Sequence, residues 1–142
     1  MHFFMEMRPP TATAQERSVK VIGGRPVFYD PPNVRDAREL LLGHLIKNKP
    51  DKPMEGALEL TVLWLFPKGK SHRHGEWRKT RPDTDNLQKL LKDCMTQVGF
   101  WKDDAQVASE HVQKRWSAEP SGIYIEIKEL EVETDVNKLE KQ

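Results

Sequence analysis

Two pairs of acidic residues are the side chains of this sequence whose types and spacing best suit chemistry. Asp83 and Asp85 form a D-x-D pair, and a second pair, Asp103 and Asp104, follows after one predicted helix and a short loop. Alternate residues of an extended segment point the same way, so a D-x-D pair can present two hard oxygen ligands to one divalent cation. Most isolated D-x-D pairs are caps or turns, but the return of a second acidic pair favours a metal site.

Lys89 lies one helical turn after Asp85 and has two interpretations. It can form a salt bridge with Asp85 or Asp93 along the helix, which contributes only about 0.2–0.5 kcal/mol to helix stability. It can instead neutralise charge that develops on a phosphate near a bound cation. The spacing leaves both open. An EF-hand is excluded, because Gln88 takes the place of the required glycine and Cys94 that of the terminal glutamate.

Residues 67–81, which lead directly into the first acidic pair, are strongly basic, and we call them the basic segment. They include a single acid, Glu76, against six basic side chains: Lys68, Lys70, Arg73, Arg78, Lys79 and Arg81. Most such runs are solvated connections. Positive charge beside a carboxylate–cation site nevertheless suits a polyanion, because it reverses the repulsion between carboxylates and phosphates. The six residues are therefore candidates for binding a polyanionic substrate, whereas His72 and His74 are interpreted as loop histidines.

The stretch between the two acidic pairs predicts a helix with one buried face. Its apolar residues recur at steps of three and four: Leu87, Leu90, Leu91, Cys94 and Val98. Asp85 is the expected N-cap, and Gly99 stands where the helix is expected to end. Phe100 and Trp101 are expected to plug the core, and Cys94 is interpreted as a small core residue rather than a nucleophile.

The remaining elements follow from apolar periodicity. Alternation at residues 58–66 predicts a central strand, and a second helix is predicted from Val34 to about Lys47, with Asn33 as its N-cap. The other predicted elements are strands at 2–7, 105–117 and 123–130 and a hairpin turn at Gly23-Gly24. The order strand, helix, strand, helix, strand, strand corresponds to an α+β fold, with a single mixed sheet of about four strands and two main helices.

The length of 142 residues suits one domain, which we place at 1–128, followed by an acidic C-terminal tail at 129–142. The single cysteine excludes an intramolecular disulfide and fits a reducing, cytoplasmic compartment. No apolar run approaches the length of a membrane span, and the N-terminus, with an early Glu6, does not resemble a signal peptide. No membrane partner is expected.

The pattern around the acidic pairs resembles that of the RusA family of Holliday-junction resolvases, the crossover junction endodeoxyribonucleases. That family has D-x-D-N, a lysine three residues after the asparagine, a further aspartate one helical turn later, and then G-x-x-x-D-D-x-Q. Here the matching residues are Asp83, Asp85, Asn86, Lys89, Asp93, Gly99, Asp103, Asp104 and Gln106. The resemblance is specific over residues 81–107. Cys94 departs from it, because a small residue such as alanine or glycine is commoner there.

The resemblance implies a RusA-like fold and a homodimeric, magnesium-dependent endodeoxyribonuclease, with Mn²⁺ as a substitute ion. Its substrate would be branched DNA, with four-way junctions resolved by symmetric paired nicks. The six basic side chains of the basic segment would then be its DNA-binding residues. By position, Asp83, Asp85 and Asp104 match the metal-binding catalytic carboxylates, and Lys89 matches the essential lysine. Asp103 matches a further acidic position and is a fourth candidate metal ligand.

Two non-catalytic interpretations compete with the nuclease. A DNA-binding module with structural acids needs the basic segment but not the second acidic pair, and its DNA affinity would not depend on divalent metal. An interaction protein stabilised by a divalent ion would show a metal-dependent melting temperature and no affinity for DNA. The two acidic pairs, predicted to converge, favour the nuclease.

Overall fold

The structure is a computed structural model and describes residues 1–13, 18–29 and 31–132. Its elements, in chain order, are β1 (His2–Glu6), β2 (Ser18–Ile22), β3 (Arg25–Tyr29), α1 (Pro32–Ile46), β4 (Leu58–Pro67), α2 (Thr84–Val98), a short 3₁₀ helix (Asp104–Gln106), β5 (Val107–Ser117) and β6 (Gly122–Glu129). The two helices and the mixed sheet confirm the predicted α+β fold.

The main sheet has four strands in the order β1-β6-β4-β5. β4 is parallel to β5 and antiparallel to β6, and β1 is antiparallel to β6. β4 is therefore an internal strand, as its sequence predicts. Parallel neighbours need a crossover connection, and α2 supplies it between β4 and β5. This crossover also carries the basic segment and both acidic pairs.

Both helices contribute to one hydrophobic core. Alternate residues of β4 are fully buried: Leu58, Leu60, Val62, Trp64 and Phe66. They share the core with side chains of α1, α2 and β6. Phe100 and Trp101 are buried, which confirms the predicted plug, and the Trp101 indole donates a hydrogen bond to Thr96 Oγ1 at 2.6 Å. Full burial of each large apolar side chain contributes roughly 1.5–3 kcal/mol, so this core fixes α2 on the sheet.

β2 and β3 form a separate two-stranded sheet. The predicted turn is confirmed, because Gly23 and Gly24 connect the strands with φ values of 58° and 78°. Glycine adopts this left-handed region without the steric cost that a Cβ imposes. The order of elements therefore contains a hairpin before the first helix in addition to the predicted strands.

Both predicted N-caps were wrong. α1 begins at Pro32 with Pro31 as its N-cap, and Asn33 lies inside the first turn. The fixed φ of proline suits the first helical position, which explains the earlier start. α2 begins after Asp83, which is its N-cap, so Asp85 belongs to the first turn. A carboxylate there interacts favourably with the positive end of the helix dipole.

The strand ends also differ slightly from those predicted. β1 ends at Glu6, and β5 begins only at Val107 because the preceding residues form the short 3₁₀ helix. β6 extends through Glu129, the first residue of the predicted tail, and the Leu130 amide then donates to the Ala57 carbonyl at 2.9 Å. Tail residues 133–142 lie outside the described residues. Among the residues described, no helix is long and apolar enough to cross a membrane.

Candidate active site

The first acidic pair stands at the N-terminus of α2. Asp83 has extended backbone angles, φ −72° and ψ 149°, and its carbonyl accepts the first helical hydrogen bond from the Leu87 amide at 3.1 Å. An N-cap carboxylate ordinarily accepts a hydrogen bond from a backbone amide of the first turn. The Asp83 side chain makes no such cap bond, and both Asp83 and Asp85 are exposed. Both carboxylates are therefore accessible to a ligand.

A cavity of about 380 Å³ lies between α2 and β5. It is lined by Thr84, Asp85, Gln88, Lys89, Lys92, Asp104, Glu110 and Val112. The cavity thus brings together Asp85, Lys89 and Asp104 from the predicted site, whereas Asp83 and Asp103 are not part of its lining. Asp85 and Lys89 share a helix face because they are four residues apart. The chain between α2 and β5 places Asp104 at the same cavity.

Lys89 does not form the salt bridge that the helical spacing allows. Within residues 1–13, 18–29 and 31–132, its ammonium has no hydrogen bond or ion pair. The side chain is exposed. This geometry favours the interpretation in which Lys89 serves an external anion, because the charge is not already neutralised by Asp85 or Asp93.

The second acidic pair is held by a capped 3₁₀ turn. Asp103 Oδ1 accepts from the Ala105 amide at 2.8 Å, and Gln106 Oε1 accepts from the Asp103 amide at 3.2 Å. The Gln106 amide group donates to the carbonyls of Met54 and Gly56, both at 3.0 Å. Gln106 therefore fastens the acidic turn to the loop before β4, which gives a physical reason for glutamine at this position.

A third carboxylate in the cavity, Glu110 on β5, was not predicted from the sequence. Its Oε1 accepts from Lys92 Nζ at 2.8 Å and its Oε2 accepts from Gln88 Nε2 at 3.3 Å. Gln88 Oε1 in turn accepts from the buried indole of Trp64 at 2.7 Å. Buried polar groups need hydrogen-bond partners. Gln88 lies on the buried side of α2, so its presence in the sequence could have indicated that a polar residue such as Glu110 lies opposite it.

The donor set suits a hard divalent cation, although the residues that the structure describes form no complete metal site. Among the described residues, no group of three or more His, Cys, Asp or Glu side chains could hold a metal ion. Asp85, Asp104 and Glu110 nevertheless line one cavity. Mg²⁺ commonly keeps several waters and binds one or two carboxylates together with substrate phosphates. The residues present therefore fit a cation that binds together with its substrate.

The basic segment is attached to β5 rather than free in solvent. The Trp116 amide donates to the Glu76 carbonyl at 2.8 Å, and the Arg78 amide donates to the Lys114 carbonyl at 3.0 Å. A further bond runs from the Gly75 amide to the Trp116 carbonyl at 2.8 Å. β5 is an edge strand of the main sheet, so these bonds cover part of an edge that would otherwise present unpaired backbone groups.

Arg78 and His72 bind the basic segment to an aromatic surface. The Arg78 guanidinium carbon lies 4.2 Å from the ring centroid of Phe66 and 4.5 Å from that of Trp116. The His72 ring stacks on Trp116 with centroids 4.0 Å apart, and its Nδ1 lies 2.5 Å from a Glu76 carboxylate oxygen. Burial lowers the pKa of Arg78 from its ordinary value. Among the predicted DNA-binding residues, Arg78 therefore also has a structural task.

The other basic candidates face solvent to different degrees. Lys68 is half-buried, and the exposed ones are Lys70, Arg73, Lys79 and Arg81.

A larger cavity, of about 740 Å³, lies on the Arg78 side and is also lined by Arg8, Asn33 and Asp36. None of the predicted catalytic acids lines this larger cavity. The smaller cavity, which contains Asp85, Lys89 and Asp104, is therefore the candidate active site.

Lys114 on β5 lies next to the first acidic pair. Its Nζ donates to the carbonyls of Thr80 and Pro82, both at 2.7 Å. Burial lowers the pKa of Lys114 from its ordinary value, the nearby Arg78 guanidinium lowers it further, and Asp83 raises it. This lysine was not among the predicted site residues, because its contacts depend on how β5 pairs with the rest of the sheet.

An α+β protein with carboxylates and an unpaired lysine around one cavity, beside a basic segment, belongs to the class of proteins equipped to act on phosphate esters. Comparison with known families makes the class specific. Residues 8–128 match the family model described as Endodeoxyribonuclease RusA, and the chain belongs to this family of endodeoxyribonucleases. Membership in a nuclease family disfavours both non-catalytic interpretations.

Individual relatives agree with the family match. A protein of Lactococcus phage r1t named crossover junction endodeoxyribonuclease rusA is 32% identical over 130 residues, which cover 90% of this chain and 97% of that protein. Proteins of the same name from Escherichia coli K12 and Enterobacteria phage 82 are 53% identical over 36 residues, which cover 25% of this chain and 30% of theirs.

Proposed function

We propose that this endodeoxyribonuclease cuts branched DNA, four-way junctions in particular, with the help of a divalent cation. The observation that carries the proposal is the cavity between α2 and β5, where Asp85, Lys89 and Asp104 meet. The names of the relatives support the substrate, because they describe crossover junction endodeoxyribonucleases. The proposed cation is Mg²⁺, with Mn²⁺ as a substitute.

The carboxylates have the task of holding the cation. Asp85 and Asp104 would bind it from the cavity, and Asp83 would bind it from the N-cap of α2. Asp103 is a further candidate ligand, although its Oδ1 already accepts from the Ala105 amide. When bound, the cation supplies a water of lowered pKa and offsets charge on the phosphodiester.

Lys89 and the basic segment would act on the DNA itself. The exposed ammonium of Lys89, which has no partner among the residues that the structure describes, is suited to neutralise charge that develops on the phosphate during cleavage. Exposed basic side chains of the segment would hold the DNA backbone, which positions the substrate without reading its sequence. Two symmetric nicks across a junction require two related active sites, so we propose a homodimer with two-fold symmetry.

Cleavage of a labelled synthetic four-way junction, with and without Mg²⁺ and beside a linear duplex of the same sequence, tests the proposal. Paired nicks confined to the junction and dependent on metal are expected. Asp85→Asn should reduce cleavage by about a thousandfold or more while junction binding survives or strengthens, because a metal ligand and a repulsive charge are lost together.

The control for this prediction is Asp51→Asn, which removes an exposed carboxylate from the linker between α1 and β4. It should cut junctions at the wild-type rate. Full cleavage by Asp85→Asn would contradict the metal assignment. Cleavage of the linear duplex as fast as the junction would contradict the proposed substrate.

A further inference from the structure

Three consecutive backbone carbonyls immediately before Asp83 are each held by a cationic side chain. Lys114 Nζ donates to the carbonyls of Thr80 and Pro82, both at 2.7 Å. Arg78 Nη2 donates to the carbonyl between them, that of Arg81, at 2.5 Å. Hydrogen bonds with a charged donor are shorter and roughly twice as strong as neutral ones. The approach to the first acidic pair is therefore unusually well fixed for a loop.

Lys114 ties this approach to the sheet. It belongs to β5, whose backbone pairs with β4 on one side and with the basic segment on the other. Its ammonium is half-buried and donates to two neutral carbonyls, and within the described residues it forms no ion pair, although the Asp83 carboxylate lies near enough to raise its pKa. Helix packing fixes Asp85 from within α2, whereas Asp83 stands at the boundary between helix and loop. The position of Asp83 consequently depends on the residues before it.

We propose that Lys114 is a positioning residue that sets the backbone at residues 80–82 and thereby aims the Asp83 carboxylate at the cation. This inference rests on the proposed function, in which Asp83 is a metal ligand. Lys114 acts through the backbone and does not need to touch DNA. A displacement of about 1 Å in a reacting group can cost on the order of a hundredfold in rate, so a lysine outside the cavity can control the chemistry.

Two substitutions separate positioning from other roles. Lys114→Met keeps the long apolar stem and removes the ammonium, whereas Lys114→Arg keeps the charge and enough N–H groups for two carbonyls. The control is Lys128→Met, because Lys128 is an exposed β6 lysine whose ammonium forms one ion pair within the described part of the chain, with the Glu126 carboxylate at 3.5 Å. Each variant is compared with wild type for single-turnover junction cleavage, the Mg²⁺ concentration at half-maximal rate, and junction affinity without metal.

Lys114→Met should cleave about 10- to 100-fold more slowly and need more Mg²⁺, with junction affinity within about threefold of wild type. Lys114→Arg should recover most of the rate, and Lys128→Met should match wild type. Mn²⁺ binding to the proteins in complex with a junction that cannot be cleaved gives a readout independent of cleavage, and Lys114→Met should bind Mn²⁺ more weakly than wild type.

The outcomes that overturn the inference differ from those that overturn the proposed function. Wild-type rate and metal requirement in Lys114→Met would overturn the positioning role alone. A loss that Lys114→Arg does not recover, together with an equal fall in melting temperature in both variants, would assign Lys114 to folding instead. A wild-type protein that binds no Mn²⁺ and cuts no junction would overturn the proposed function and the inference with it.

Discussion

Two lysines near the acidic pairs, Lys89 and Lys114, differ in their surroundings. Lys89 is exposed and has no hydrogen-bond or ion-pair partner within the described part of the chain, so its charge is available to an external phosphate. Lys114 is half-buried and uses two N–H groups to bind backbone carbonyls. The first arrangement suits the proposed contact with substrate, and the second suits the proposed task of holding residues 80–82 in place.

Cys94 shows a residue-scale effect on stability that depends on pH. Its side chain is fully buried, and burial raises the pKa of the thiol from 9.0 to about 11, with a smaller lowering by Arg38 and a smaller raising by Asp93. A folded-state pKa above that of the unfolded chain means that the unfolded state ionises first as pH rises. The resulting stabilisation is complete below about pH 9 and is lost as pH rises through about 11.

The corresponding prediction compares wild type with Cys94→Ala in urea unfolding at several pH values from about 8 to 10.5, a window set by the thiol pKa of about 11. The wild-type free energy of unfolding should fall, relative to that of the alanine variant, as pH rises. Subtracting one free energy from the other removes the titration of other groups, since both proteins share them. A difference that stays constant over this range would show that the native thiol ionises as readily as in the unfolded chain.

At the scale of elements, α2 was the most predictable part of the site and its N-terminus the least. The apolar stripe and the end at Gly99 follow from local rules. The structure confirms the end at Gly99 and the stripe, except that Val98 is only partly buried. The D-x-D pair offers two candidate N-caps, and local propensity cannot choose between them. In the structure Asp83 is the N-cap, and the residues just before it, Thr80 and Pro82, are held by Lys114, which is distant in sequence.

The end of α2 gives an element-scale prediction with an internal control. Gly99 has φ of 101°, where an L side chain is strained although nothing lies within 4 Å of the position that a Cβ would take. Gly99→Ala should therefore lower the free energy of unfolding by about 1–2 kcal/mol. Gly43, exposed within α1, also has open space but lacks a positive φ, so Gly43→Ala should raise stability by about 0.5–1 kcal/mol.

Chemical denaturation of the two alanine variants measures both effects. Opposite signs are expected, because both positions have open space and only Gly99 has a positive φ. Destabilisation by Gly43→Ala of the same size as that by Gly99→Ala would mean that space, rather than the left-handed backbone, governs the end of α2.

At the scale of the whole molecule, the fold class and most of the acidic site were predictable, and the partners of the site were not. Asp85, Lys89 and Asp104 come together because one crossover helix separates them, which the sequence pattern contains. Glu110 enters the cavity only through the pairing of β5 with β4, and its hydrogen bond to Gln88 spans 22 residues. Contacts of that kind depend on strand register, so the sequence can indicate that Gln88 needs a polar partner but not that Glu110 is that partner.

The attachment of the basic segment to β5 leads to a prediction for the DNA-binding role that we propose for this segment. Exposed members such as Lys79 have no hydrogen bond or ion pair from their side chain to another described residue, whereas Arg78 lies over Phe66 and Trp116. If Lys79 contacts a phosphate, Lys79→Ala should weaken junction binding about equally for all sequences. The logarithm of affinity falls as the logarithm of salt concentration rises, and the variant should make this fall less steep, by about 0.9 in slope, since one fewer counterion is released.

Binding is measured without divalent metal over a series of potassium chloride concentrations, beside Lys128→Ala as a charge-matched control on β6. The control should leave the slope at its wild-type value. Arg78→Ala should behave differently from Lys79→Ala, because it removes the donor to the Arg81 carbonyl and leaves the aromatic pair uncovered. Its melting temperature should fall, whereas that of Lys79→Ala should not. Equal slopes for Lys79→Ala and wild type would exclude Lys79 from the DNA contact and move the interface to another part of the surface.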